Sequence, residues 1–179
     1  MKRLLKDQSG LSFPLTVAIA LALVMILCGI SEYMRLQIIA RGIRDTLQSA
    51  IISTVNDNYA DVYHGVREGY AGGYQPIGGG FEESVSYGDI YGRLDNLLGL
   101  TRSGGYHVKR VGAGQMEFRL SGLSVEVMNM PLAPDSPSGA RKFTANASIR
   151  LEAPVSFGGK SLPPLAMTLK VRAAWTEKF

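Results

Sequence analysis

The pattern of apolar and polar residues changes twice along the chain. From Leu11 to Ile30 no side chain is charged, and about 20 such residues allow a helix to cross a hydrocarbon core of roughly 30 Å. Beyond Ile30, apolar residues recur at three- and four-residue spacing as far as about Asn56, which predicts an exposed amphipathic continuation of the same helix. A helix from Ser12 to Asn56 is about 68 Å long, so it leaves the membrane and continues.

After Asn56 the pattern shortens and is interrupted by glycines. Glycine and tyrosine predict an irregular loop up to about Gly80, and the segment from Asp89 to Leu98 predicts a short amphipathic helix that stops at Gly99. Alternation with period two then predicts antiparallel strands with one wet face. These strands are Tyr106–Val111, Gln115–Met128 with a break near Gly122, Phe143–Phe157, and Met167–Ala173 after a turn containing Gly158, Gly159, Pro163 and Pro164.

The predicted fold class is α+β. A long N-terminal membrane-spanning helix continues into an exposed amphipathic helix, which packs on the dry face of a small antiparallel β-sheet domain. The predicted segments are a basic leader (1–10), a transmembrane helix (11–30), an exposed amphipathic helix (31–58), a Tyr/Gly-rich loop region (59–88) and a domain with a small helix and a sheet (89–179).

Charge gives little indication of the partner. The chain has a net charge of +4, and part of it lies in the leader at Lys2, Arg3 and Lys6, so no basic stripe supports nucleic-acid binding. Basic residues flank the apolar run on both sides. Because a long C-terminal domain is translocated largely regardless of charge, we expect the N-terminus inside and the C-terminal domain outside a bacterial cytoplasmic membrane.

Besides a membrane anchor, the apolar run could be part of a lipoprotein signal or of a cleaved secretory signal. Cys28 is the single cysteine and excludes an intramolecular disulfide. A lipoprotein acylation site needs a small residue before the cysteine, where Leu27 stands, so Cys28 is interpreted as an apolar filler. A cleaved secretory signal needs a small-residue cleavage site, and none follows near Ile30.

No motif indicates catalysis or a cofactor. Gly159-Lys160-Ser161 resembles the end of a phosphate-binding loop, but Pro154 occupies the position of the required first glycine. His64 and His107 are far apart and lack neighbouring cysteines, which argues against zinc. Glu82-Glu83 are adjacent and do not converge on one face, so they favour a solvated patch over acid–base chemistry. We expect no enzyme activity, no cofactor, no metal and no small-molecule substrate.

Candidate interaction residues lie along the long helix. Ala18 and Ala22 are four residues apart and permit close helix packing in a membrane, although a lipid-facing helix without a partner is equally consistent. Glu32 pairs with Arg35 or with a base on a neighbour, or it is a solvated acid at the interface. The remaining candidates form the apolar stripe of the exposed part: Leu36, Ile43, Leu47 and Ile51.

The tyrosines of the glycine-rich segment have two interpretations. Tyr63, Tyr70 and Tyr74 supply both contact area and a hydroxyl, as at a partner surface. Alternatively, they pack the loop onto its own domain.

The N-terminal region resembles a known family. Residues Lys6–Gly10 followed by Leu11-Ser12-Phe13 resemble the leader of type IV pilin-like proteins, in which a prepilin peptidase cuts after the glycine, here Gly10, and frees the next residue, here Leu11. The segment Gly29–Arg35 and the helix after it are similar to TadE/TadG-like proteins of tight-adherence pili. Leu15 stands where main-family pilins carry a glutamate, which favours a minor subunit.

The resemblance implies a non-catalytic minor pilin or pseudopilin of a Tad-type pilus, or of a related surface filament or secretion machine. Its implied partners are membrane lipid, other pilin-like subunits, pilus assembly platform proteins and a prepilin peptidase. The alternative is a membrane-tethered extracytoplasmic binding module of a conjugative transfer or envelope complex. An assembly subunit should use the stripe from Leu36 to Ile51 between copies, whereas a tethered module should cover it with its own sheet.

Overall fold

The structure is a computed structural model, which describes residues 12–60, 73–132 and 142–175. The chain is α+β, as the pattern predicts, with one long N-terminal helix followed by antiparallel strands. The elements are α1 (Ser12–Ala60), β1 (Tyr74–Ile77), β2 (Gly80–Glu83), α2 (Ile90–Leu98), β3 (Thr101–Ser103), β4 (Tyr106–Val111), β5 (Gln115–Met128), β6 (Thr144–Phe157) and β7 (Lys160–Ala174). The predicted cleavage residues Gly10 and Leu11, and the loop residues Tyr63 and Tyr70, lie outside the described residues.

Helix α1 has 49 residues and is therefore about 74 Å long. Every described side chain from Phe13 to Cys28 is exposed. From Ile39 onward, apolar residues three and four apart are buried. The continuous helix thus has a first half without a covered face and a second half with one face in the core.

Five strands form one antiparallel sheet in the order β3-β4-β5-β6-β7. In β6, Ala145, Ala147, Ile149 and Leu151 are buried, while the residues between them, Asn146, Ser148 and Arg150, are more exposed. This alternation gives the sheet one dry face. The second half of α1 packs on the dry face over β6 and β7, with α2 beside it, so the prediction that the sheet covers the apolar stripe is confirmed.

The short helix α2 begins and ends where the sequence indicates. The Asp89 carboxylate accepts a hydrogen bond of 2.9 Å from the Gly92 backbone N–H, an N-cap that satisfies a free helical donor. Gly99 ends the helix with a left-handed φ of 63°, a conformation that costs other residues more. Ile90 and Leu94 of α2 are buried against the core.

Two strand predictions need correction. Strand β7 begins at Lys160, so Pro163 and Pro164 lie in the strand and not in the preceding turn. The strand accepts them because β7 is at the sheet edge and its register on β6 shifts between Ala153 and Val155, so neither proline has a partner in the ladder. In β5, Gly122 marks a shift in register between Ser121 and Ser124; this is a bulge within one strand and not the end of it.

The glycine-rich region is more regular than the sequence indicates. Strands β1 and β2 form a hairpin where an irregular loop is predicted, and β3, which is not predicted, pairs with β4. Gly78 and Gly79 both have positive φ, as a two-residue hairpin turn requires. Alternation of apolar and polar residues does not mark these two strands in the sequence, because both β1 and β2 are largely exposed and neither buries one face.

Candidate functional site

The first half of α1 is an apolar surface that no other described part of the chain covers. Its exposed fractions include 76% at Phe13, 60% at Leu21 and 56% at Val24. Ala18 and Ala22 are also exposed. Helix α1 is long and apolar enough to cross a membrane, and a helix that is apolar all round is stable only in lipid or in contact with other apolar surface.

The exposed half of α1 ends where the β6–β7 hairpin touches the helix. A Cβ atom added to Gly29 would lie 3.5 Å from Cε2 of Phe157, which is ordinary van der Waals contact, so the Phe157 ring rests against α1 at Gly29. Gly158 and Gly159 turn the chain directly after Phe157 with positive φ values, as a two-residue hairpin requires.

One helical turn beyond Gly29, an ion pair on α1 bonds to the β6–β7 hairpin. Arg35 donates to both carboxylate oxygens of Glu32, with Nε–Oε2 of 2.9 Å and Nη2–Oε1 of 2.7 Å. The Arg35 Nη2 also donates to the Pro154 carbonyl oxygen at 2.7 Å. The Ser156 backbone N–H donates to Glu32 Oε1 at 3.0 Å. Arg35 therefore donates to the hairpin backbone and Glu32 accepts from it, so Glu32 is not a solvated acid.

The electrostatics of the junction follow from these contacts. The hydrogen bond from Arg35 lowers the pKa of Glu32 from its ordinary value, and the Ser156 N–H adds to this effect against the opposing effect of burial. The same pairing raises the pKa of Arg35. A carboxylate and a guanidinium that are both charged and share hydrogen bonds form stronger contacts than neutral groups.

The apolar stripe lies inside the chain's own core. Ile43, Leu47 and Ile51 are each 1% exposed or less, and Leu36 is half-buried against the same core. This corrects the expectation that Ile43, Leu47 and Ile51 make contacts between subunits, because the side chains of these three residues are not accessible to a neighbour. A stripe that the chain's own sheet covers is what a tethered module predicts, so this feature favours a tethered module.

The far end of α1 is fixed by polar and aromatic contacts. Asn58 donates to the Ser86 carbonyl oxygen and accepts from the Ser86 N–H, both at 2.8 Å. Tyr59 stacks on Trp175 with ring centroids 4.1 Å apart.

The Tyr74 hydroxyl donates to the Met130 carbonyl oxygen at 2.7 Å, and burial raises the pKa of Tyr74. Tyr74 therefore packs onto its own domain, which is the second of the two interpretations given for the tyrosines, and it is not a free contact residue.

Two further polar clusters were not identified from the sequence. His107 Nδ1 lies 2.6 Å from Asp95 Oδ1, and the Tyr91 ring stacks on the imidazole at 3.9 Å. Arg119 pairs with Glu152, and this pairing lowers the pKa of Glu152. Each pair depends on strand register or on helix–sheet packing, which local sequence patterns do not specify.

The described residues contain no cluster of potential metal ligands. Within residues 12–60, 73–132 and 142–175, no three His, Cys, Asp or Glu side chains lie close enough together to hold a metal ion. Glu83 accepts a hydrogen bond from Asn129 at 3.0 Å, and the adjacent Glu82 belongs to the same exposed strand β2. The junction of α1 with the hairpin and the exposed helix half are therefore the candidate functional features.

No protein-family model, no curated protein and no solved structure matches the chain.

Proposed function

We propose that the chain is a non-catalytic, pilin-like subunit of a Tad-type pilus or of a related bacterial surface filament or secretion machine. The observation that carries the proposal is the division of α1 into an apolar half with every described side chain exposed from Phe13 to Cys28, and a half held in the sheet domain. A stable soluble protein rarely exposes such a continuous apolar surface, and one of this size marks a membrane or protein contact.

The first role of the exposed half is to anchor the chain in the cytoplasmic membrane as a single span, with the sheet domain outside. Its second role is to pack against the corresponding helices of other pilin-like subunits. Ala18 and Ala22 are exposed on it and would permit close approach of a neighbouring helix. The buried stripe from Ile43 to Ile51 takes no part in this contact.

The junction at Glu32 and Arg35 supports this proposal by a mechanical argument. Because the pair bonds to the backbone of Pro154 and Ser156, α1 cannot rotate about its axis relative to the hairpin without breaking charged hydrogen bonds. The sheet domain is therefore held in a fixed direction about the exposed helix. A subunit whose helices pack in a regular assembly requires such a fixed relationship between helix and domain.

The experiment is crosslinking through the exposed half in the native organism. The native Cys28 is exposed and serves as the reactive group when oxidant is added to filaments sheared from the cell surface. We expect the chain in the sheared fraction and a disulfide-linked species that Cys28→Ser abolishes. Absence from the sheared fraction, with full recovery in the membrane, would refute incorporation into a filament.

A membrane-tethered binding module is the second candidate, because the stripe at Leu47 lies in the chain's own core. This candidate shares the anchor and differs in the assembly. A tethered module predicts a membrane-bound protein without crosslinks between span helices at native abundance. A Leu21→Arg variant should release either kind of protein from the membrane, so it tests the anchor that the two candidates share.

A further inference from the structure

Exposed apolar side chains lie on α1 and at the adjacent end of the sheet, at the level where the uncharged run of α1 ends. We define the collar as Ile30 on α1, Val111 and Met116 beside the β4–β5 turn, and Phe157 and Leu162 beside the β6–β7 turn. Their exposed fractions are 50%, 42%, 37%, 36% and 47% in that order. The two turns lie at the same end of the sheet, because β5 pairs antiparallel with both β4 and β6.

An open cleft of about 570 Å³ lies beside the collar, at the ion pair. Val111, Met116, Glu32 and Arg35 line this cleft together with the β6–β7 hairpin. Charged side chains of both signs are present at this end of the domain. Glu32 is paired with Arg35, and Glu117 also acts on Arg35. Arg110 and Lys160 are exposed near the two turns and add positive charge.

We propose that the collar rests on the lipid headgroup layer of the membrane that holds the exposed half of α1, as a second membrane contact of the sheet domain. This inference depends on the anchor in the proposed function. The collar lies level with the end of the uncharged run, because Phe157 contacts α1 at Gly29, the next-to-last residue of that run. When residues 11–30 span the bilayer, the hairpin tip therefore lies in the interface.

The composition of the collar fits a lipid surface better than water. Apolar side chains with a nearby lysine or arginine place carbon in the boundary layer and charge among the phosphates. Tyr33, which is 62% exposed on α1, belongs to the residue type that is enriched at this depth. The hydrogen bonds of Glu32 and Arg35 to the hairpin backbone hold the tip at this level, so the contact requires no rearrangement.

The test measures the depth of single positions in the full chain. In a Cys28→Ser background, Leu162→Cys carries a fluorophore in vesicles of phosphatidylethanolamine and phosphatidylglycerol that contain nitroxide lipids. A second variant, Val24→Cys, carries the same fluorophore within the expected membrane span. Ile77→Cys, which is 53% exposed, is the matched control. It lies on the hairpin that follows Gly73, whose N–H bonds to Asn58, about 44 Å along α1 from Gly29. Emission of Trp175, which stacks on Tyr59, verifies folding of each unlabelled variant.

We expect headgroup nitroxides to quench the label at Leu162 and acyl-chain nitroxides to quench the label at Val24, with the label at Ile77 unaffected. Quenching at Val24 with none at Leu162 would overturn the collar and leave the anchor intact. No quenching at Val24 would overturn the anchor and the collar together. A label at Leu162 that responds to the protein-to-lipid ratio but not to lipid nitroxides would mean that a second copy covers the collar, and this too would overturn the proposal.

Discussion

Arg35 on α1 donates a hydrogen bond of 2.7 Å to the carbonyl oxygen of Pro154 in β6, 119 residues further along the chain. The same guanidinium is held by Glu32 one turn earlier on the helix. The contact lies between the exposed half of α1 and the half that packs on the sheet. It therefore holds the β6–β7 hairpin against α1 at the point where the apolar half leaves the domain.

Removing the guanidinium should loosen the hairpin more than it destabilises the domain. In Arg35→Met, Glu32 loses its charged partner and the Pro154 carbonyl loses its donor. We expect a loss of about 1 kcal/mol in the free energy of unfolding, because the Arg35 side chain is 36% exposed and solvent weakens its contacts. Urea unfolding followed by Trp175 emission measures this loss, and amide exchange at Ser156 reports the local loosening.

Arg41→Met is the matched control, because Arg41 is an exposed arginine on the same helix. Its substitution should change stability by less than about 0.5 kcal/mol and leave exchange at Ser156 unchanged. Equal effects of the two substitutions would show that the junction contributes nothing specific.

The junction should weaken in acid. The pKa of Glu32 is lower in the folded chain than its ordinary value, so its contribution to stability is complete above the unfolded pKa of about 4.3 and is lost as pH falls through the folded pKa. The protection factor of the Ser156 amide should therefore be constant near neutral pH and fall below about pH 4. In Glu32→Gln this local dependence on pH should disappear, while the acid sensitivity due to Glu152 remains. A decline of Ser156 protection that is identical in both proteins would contradict the assignment.

Leu47 should behave as a core residue. It is fully buried between α1 and the sheet, so Leu47→Ala should lower the free energy of unfolding by about 2–5 kcal/mol, and Leu47→Glu should prevent folding of the domain. Ile52, which is 44% exposed on the same helix, provides the matched control, and Ile52→Ala should cost less than about 1 kcal/mol. If Leu47→Glu left the domain folded and abolished assembly, the stripe would be an interface between subunits after all.

The exposed half of α1 should not tolerate a charge near its centre. Arginine at the centre of a spanning helix costs about 2.5–3.5 kcal/mol on the insertion scale, so Leu21→Arg should lower the fraction of chain that resists alkaline extraction from membranes. Gln48→Arg places the same charge on an exposed position of the second half and should leave extraction unchanged. Equal extraction of the two variants and the parent would exclude Leu21 from a membrane span.

Local patterns in the sequence were sufficient to predict most of the elements. The uncharged run and the spaced apolar residues predict α1, and Asp89 and Gly99 delimit α2 because capping is a short-range interaction. The alternation in β6 indicates both the strand and its dry face. Since only one sheet face is dry, the packing of the stripe from Ile43 to Ile51 followed from the same pattern.

The remaining features depend on contacts between distant residues. Glu32 and Arg35 are three residues apart and were expected to pair, but no local signal connects them to Pro154 and Ser156. The bonding of the hairpin to α1 follows only from strand register and from the height at which β6 ends. Tyr74 had two interpretations, because composition alone does not distinguish a partner surface from packing onto the chain's own domain. The hydrogen bond of its hydroxyl to the Met130 carbonyl oxygen supports the second.

The intact mass of the protein recovered from its native membrane tests the pilin-like proposal most directly. The proposal predicts a mass reduced by residues Met1–Gly10, with Leu11 as the new N-terminus, because a prepilin peptidase cuts after Gly10. A full-length mass would contradict processing as a pilin and favour the uncleaved tethered module. Cleavage between Ile30 and Arg41 would remove the apolar half of α1 and contradict both.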